Sequence, residues 1–142
     1  MEQAVHFITV ATPDLAAARA FYVDGLGWTP HLDVPDEILF FQIAPGLLLG
    51  LFEAGKFAAD AGGENPNPVI GGFTFSHNVE SPAAVEALVA RLERCGGTVT
   101  KFPQAGEFGG VHHALVRDPN GVVWEIAHNP AWHIKADGTV VL

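Results

Sequence analysis

Cysteine is nearly absent: Cys95 stands alone in 142 residues. A single thiol excludes an intrachain disulfide framework and a metal site built from several thiolates. Basic residues are scarce, seven against sixteen acidic ones, and none of them cluster. With a net charge of −9, the chain is a poor partner for nucleic acid or an anionic membrane surface. Charged residues make up only 16% and hydrophobic ones 49%, which argues against disorder. No apolar run is long enough to span a membrane, because Gln42, Pro45 and two glycines interrupt the greasiest stretch, 38–52. Met1-Glu2-Gln3 lacks the charged and apolar regions of a signal peptide, so a cytoplasmic protein is expected. There is no Gly-x-Ser-x-Gly elbow, no phosphate loop and no dinucleotide fingerprint. The length fits one domain, 1–142, with a sizeable core.

What is present falls into two similar halves. In the first module, 5–53, residues 5–11 read as a strand, and Thr12-Pro13 as cap and first position of a helix. Leu15, Ala18, Tyr22 and Leu26 form its apolar stripe, and Gly25 its stop. Trp28 begins an irregular strand; residues 38–43 and 47–52 form a hairpin around Pro45-Gly46. Residues 54–68 read as a linker, with one helical turn at 56–61. The second module, 69–128, repeats the pattern. A strand at 69–79 leads to a helix capped by Ser81-Pro82, with Val85, Leu88, Val89 and Leu92 at helical spacing. Cys95 beside that stripe reads as a small buried hydrophobe. Gly96-Gly97 stops the helix. Then come a strand at 98–102, a loop at 103–110 and a hairpin. Residues 129–142 form a tail. Each half is β-α-β-β-β, an internal duplication of about 70 residues. Each leaves one sheet face bare, so the halves are expected to pack together.

The last hairpin is the most informative stretch. Asp118-Pro119-Asn120-Gly121 is a tight turn, followed by Val122 to His128. Alternation puts Glu125 on one face with Val123 and Ala127. A carboxylate on an apolar strand needs a partner, a hydrogen bond or a metal. Two further pairs, His77-Asn78 and His128-Asn129, each end a strand of the second module, and read as a latch or a polar rim for a ligand.

Asp-Pro-Asn-Gly followed by Trp124-Glu125-Ile126 resembles the last hairpin of the vicinal oxygen chelate superfamily, which includes glyoxalases, bleomycin-resistance proteins and extradiol dioxygenases. The resemblance covers residues 5–128. It implies an α+β fold of two tandem βαβββ modules, forming a cup-shaped, partly open mixed β-sheet barrel with helices outside. In the superfamily's metal enzymes four ligands come from four strands, two per module. Carried onto this sequence, those positions fall on Phe7, Gly50, Phe73 or Thr74, and Glu125. Only the last is a useful ligand, so no cofactor is expected. The alternative is a relocated divalent metal held by Glu125 with His112 or His113, two adjacent histidines of which one points into the cup.

The resemblance is closest to the superfamily's metal-less branch. It implies a small organic molecule bound in the cup, near Phe7, Thr9, Gly50, Phe73, Thr74, Trp28, His77 and Trp124, with Trp132 also at the mouth. Glu125 and His112 or His113 are the candidate catalytic residues. A metal-dependent lyase, isomerase or dioxygenase is the alternative, and a non-catalytic structural or interaction module the second alternative. A homodimer is expected, because the family commonly pairs chains and Trp132, Ile134, Val140 and Leu142 leave an apolar tail.

Overall fold

Both halves build the same sheet. The computed structural model describes residues 6–60, 74–106, 109–137 and 140–141. The chain divides into two units, Met1–Gly71 and Gly72–Leu142. In the first, β1 (Phe7–Thr12), β2 (Leu32–Val34), β3 (Ile38–Ala44) and β4 (Leu47–Glu53) lie in the order β1-β4-β3-β2. In the second, β5 (Phe75–Asn78), β6 (Thr98–Ala105), β7 (His112–Arg117) and β8 (Val123–His128) lie in the order β5-β8-β7-β6. The first and last strand of each module pair in parallel, and the other neighbours are antiparallel. The fold is therefore two open, four-stranded mixed sheets with helices, α+β, and no closed barrel.

One face of each sheet is sealed by a helix. In module one, α1 (Leu15–Arg19) runs on into a π-helical turn, Ala20–Gly25. It buries Leu15, Ala18, Phe21 and Tyr22 with Leu39, Phe41, Leu49 and Leu51. The cap is Asp14, whose carboxylate accepts from the Ala17 N–H, rather than Thr12, whose hydroxyl turns back to the Val10 carbonyl. Both residue types cap helices, and the chain uses the one that aligns. The helix stops at Gly25, as the sequence suggests, with Leu26 as its C-cap, but the left-handed residue is Gly27 (φ 75°) rather than Gly25. In module two, α3 (Pro82–Arg94) starts at Ser81, whose Oγ accepts from the Ala84 N–H. It buries Val85, Leu88, Val89 and Leu92. Ala114, Val116, Trp124 and Ile126 are buried on the sheet beside it. Gly96 (φ 94°) closes it, with the Gly97 N–H reaching the Leu92 carbonyl. Cys95 is the half-buried C-cap of this helix, with a free thiol.

Three stretches differ from the sequence reading. The linker begins with a helix, α2 (Ala54–Asp60), because Glu53 accepts from the Gly55 and Lys56 N–H groups and so caps its first turn. The strand starting at Trp28 is only Leu32–Val34; Trp28 itself packs against Tyr22 and Phe41. Strand β6 extends through Pro103 to Ala105, which its place at the sheet edge permits. The rest of the linker, the start of the 69–79 strand, Phe73, and Glu107 and Phe108 of the glycine-flanked loop lie outside the described residues. In the tail, β9 (His133–Ile134) and β10 (Val140–Val141) pair as a small hairpin, with Ile134 exposed. Among the described residues no helix is long and apolar enough to cross a membrane.

Candidate functional site

The two hairpins have one register. From Gly46 to Gly50 is four residues, as from Gly121 to Glu125. Phe40 pairs with Gly50 as Leu115 pairs with Glu125. Glu125 and Gly50 are therefore equivalent. Their parallel neighbours are Ser76 and Thr9. The first-strand residues directly opposite Gly50 and Glu125 are thus Thr9 and Ser76. Phe7 lies one pleat away, opposite Leu48.

Module one fills its position with hydrocarbon. A Cβ on Gly50 would sit 2.8 Å from the Phe40 ring and 3.5 Å from Thr9 Oγ1, so the aromatic edge covers the backbone there. Phe7 meets Phe40 edge-on at 5.7 Å and is 54% exposed. Nothing on Gly50 or Phe40 can ligate a metal.

Module two fills the same face with a hydrogen-bonded line across four strands. Ser76 Oγ donates to Glu125 Oε2 at 2.8 Å. Glu125 Oε1 lies 2.8 Å from His113 Nδ1, and His113 Nε2 lies 2.8 Å from Lys101 Nζ. The protons follow from the ends of the line. An ionised carboxylate only accepts, so Nδ1 carries hydrogen; an ammonium only donates, so Nε2 accepts. With Glu125 ionised and Lys101 an ammonium, the line thus assigns hydrogen to His113 Nδ1 and makes Nε2 the acceptor. The His113 hydrogen bond holds the Glu125 carboxyl below the usual glutamate range; partial burial opposes it, and Ser76 and the positive charge of Lys101 add to it. The carboxylate remains about a third exposed and His113 less than a fifth.

His113 and Glu125 share a face because His113 pairs with Ala127, two residues from Glu125. His112 faces the α3 side, where its Nε2 is buried, unpartnered among the described residues and 3.9 Å from Glu86 Oε1. Trp124 is also on the α3 side, buried 5.1 Å from Phe75. Trp28 is half-buried against the module-one core residues Tyr22 and Phe41. Thr74 is exposed before β5. His77 pairs with Ile126, on the opposite face from Glu125. The strand-end latch forms differently from the expected pairing: His128 Nδ1 donates to the Val79 carbonyl at 3.1 Å, while Asn129 Oδ1 accepts from the Ala131 N–H.

Two members of the line, Ser76 and Lys101, escaped the sequence reading. Ser76 follows from the parallel register alone. Lys101 sits between two register shifts in β6, and such bulges re-aim side chains. Among the described residues no three His, Cys, Asp or Glu side chains gather as a metal-binding group.

The profile of the Glyoxalase/Bleomycin resistance protein/Dioxygenase superfamily matches residues 4–126. A glyoxalase-related enzyme from Fulvimarina pelagi is 35% identical, with 99% of each chain covered and a TM-score of 0.86. A lactoylglutathione lyase from Agrobacterium tumefaciens is 26% identical over 89% of this chain and 94% of its own, with a TM-score of 0.65. A superfamily enzyme from Burkholderia phytofirmans, 20% identical with 87% and 96% covered, shares the fold at a TM-score of 0.71. No curated protein matches. Duplicated βαβββ modules, the Asp-Pro-Asn-Gly hairpin and the profile match agree: the chain belongs to the Glyoxalase/Bleomycin resistance protein/Dioxygenase superfamily.

Proposed function

We propose that the Glu125 face of the second module binds a small organic molecule without a resident divalent metal. The observation that carries this reading is the Ser76–Glu125–His113–Lys101 line. Its donor set does not fit a metal. Both Glu125 oxygens accept hydrogen bonds, and both His113 nitrogens are engaged. The line also ends in an ammonium, which would repel a cation beside it. Fixed polar groups beside the apolar side chains of Leu115, Val123 and Ala127 suit orientation of a small ligand.

Elemental analysis of the purified protein should find no stoichiometric zinc, iron, nickel or manganese. A metabolite screen by amide chemical shifts should return ligands that perturb β7 and β8 around Glu125 equally with and without chelator. One ion per chain, lost in Glu125→Ala, overturns the metal-free reading. Hits that perturb only residues remote from this face overturn the site.

A second reading is a lyase or isomerase that transfers protons. It is favoured by the His113–Glu125 pair, in which the carboxylate fixes the tautomer of a histidine whose Nε2 is an acceptor. A similar structure at 26% identity is a lactoylglutathione lyase. Turnover of a hit ligand, abolished in His113→Ala, separates this reading from binding alone. The chain is further proposed to act in the cytoplasm as a homodimer. The motive for the dimer is the apolar tail, where Ile134 is 61% exposed. Light scattering should give twice the 15.0 kDa chain mass at micromolar concentration, and a monomer overturns the dimer.

A further inference from the structure

The duplication supplies an internal control for the polar line. The module-one counterparts of Ser76, Glu125, Leu115 and Lys101 are Thr9, Gly50, Phe40 and Leu32, paired in the same register. His113, opposite Ala127, corresponds to Ile38, opposite Phe52. One copy of the fold thus stands with a glycine and hydrocarbons where the other has a carboxylate, an imidazole and an ammonium. The architecture itself does not require those charges.

The charges of the line are unevenly satisfied. Glu125, the negative member, takes a hydrogen bond on each oxygen. Lys101, the positive member, spends one N–H on the His113 ring and, among the described residues, lies in no ion pair. An ammonium has three donors, so two remain. The placement is unusual for an edge-strand lysine, which ordinarily extends into water and guards the edge. Here the register shifts on both sides of Lys101 aim it along the sheet face, and the side chain is half-buried. Between Lys101 and Glu125 on that face lies Leu115, paired with both and half-buried. The surface therefore offers an apolar floor flanked by two cations, the half-buried Lys101 and the exposed Arg117 two residues along β7, and a carboxylate already hydrogen-bonded by its neighbours.

We propose that this face selects a small monocarboxylate with an apolar body, and that Lys101 is the residue that selects it. The inference rests on the small-molecule reading above and names the ligand's chemical class. The carboxylate of the ligand takes the free N–H groups of Lys101, a charge-assisted contact. The apolar body lies on Leu115. A cationic ligand meets a carboxylate already hydrogen-bonded on both oxygens by His113 and Ser76, and the repulsion of Lys101 beside it. The net charge of −9 opposes an anion only at long range, and about 0.15 M salt screens it beyond roughly 8 Å.

Benzoate and its neutral isostere benzamide test this by amide-shift titration of the labelled full chain at that ionic strength. Benzoate should shift amides of β6, β7 and β8 around Lys101 and Leu115, and bind about tenfold more tightly than benzamide. Lys101→Met should remove the preference, lowering benzoate affinity about tenfold and leaving benzamide within twofold. Lys101→Arg, which keeps the charge, should retain it. An unchanged spectrum away from β6 shows that each variant is folded. Equal binding of the two probes on the Glu125 face overturns selection by charge and leaves the small-molecule reading standing. A preference that survives Lys101→Met overturns the role of Lys101. Shifts from neither probe overturn the proposed class; if the metabolite screen is also empty, the binding reading falls with it.

Discussion

Asp118→Ala should lower the unfolding free energy by about 3 kcal/mol, as two backbone donors, one buried and one partly so, lose a charged acceptor. Asp118 is 4% exposed, the most buried charged side chain among the described residues. Its Oδ1 accepts from the N–H groups of Asn120 and Val122, at 2.9 and 2.8 Å. Its own N–H donates to the Val122 carbonyl, and its carbonyl accepts from Gly121, whose φ is 102°. The side chain thus closes the turn that backbone groups alone close loosely. The turn also sets function, because the Asp118–Val122 closure fixes the ladder that pairs Leu115 with Glu125 and His113 with Ala127. Slipping it by one residue would send Glu125 to the α3 face. Asp118→Asn keeps an acceptor oxygen and should cost only about 1 kcal/mol. Urea unfolding at pH 7 checks both variants. A loss in Asp118→Ala no larger than in Asp118→Asn would mean that the backbone closes the turn unaided.

The same closure shows which parts of the site the sequence could disclose. Glu125 was legible because a carboxylate interrupts an apolar strand. The duplication was legible because the two turn glycines and two helices recur at matching offsets. His113 over His112 was also within reach. Counting outward from a closed Asp118–Val122 pair puts residue 113 opposite 127, on the parity of Glu125. Ser76 was not within reach, because the register of a parallel ladder is set by packing between distant segments, and no turn fixes it. Lys101 was hidden for another reason. Without its bulges β6 reads as a plain edge strand, and a lysine there reads as a solvated charge. The first helix cap misled by two residues because Thr12 and Asp14 are both competent caps, and the left-handed residue fell at Gly27 because the helix runs through Gly25 as a π turn.

Glu125 variants should change stability in a way that depends on pH, with a sign fixed by its depressed pKa. Glu125→Ala should cost about 2 kcal/mol at pH 7, through the hydrogen bonds to His113 and Ser76. That is less than the roughly 3–5 kcal/mol of a fully buried broken pair, because water reaches a carboxylate that is 32% exposed. Glu125→Gln keeps an acceptor and should cost about 1 kcal/mol. The carboxyl is held below its unfolded value, first by His113, so its contribution is complete above the ordinary glutamate range and is lost as pH falls through its lower, folded value. The gap between wild type and Glu125→Gln should therefore be level, as far as this carboxyl is concerned, at neutral pH, and close on acidification. Thermal unfolding from pH 3 to 8 measures it. A gap of the same size at pH 3 and pH 7 would rule out the ionised carboxylate as its source. His113→Ala supplies the second reading. Removing the bond that contributes most to the depression should move the acid-side loss of stability to higher pH, toward the value of a free glutamate. An acid limb that does not move would assign the depression to Ser76 and Lys101 instead, and would leave His113 without a hold on the charge at the centre of this face.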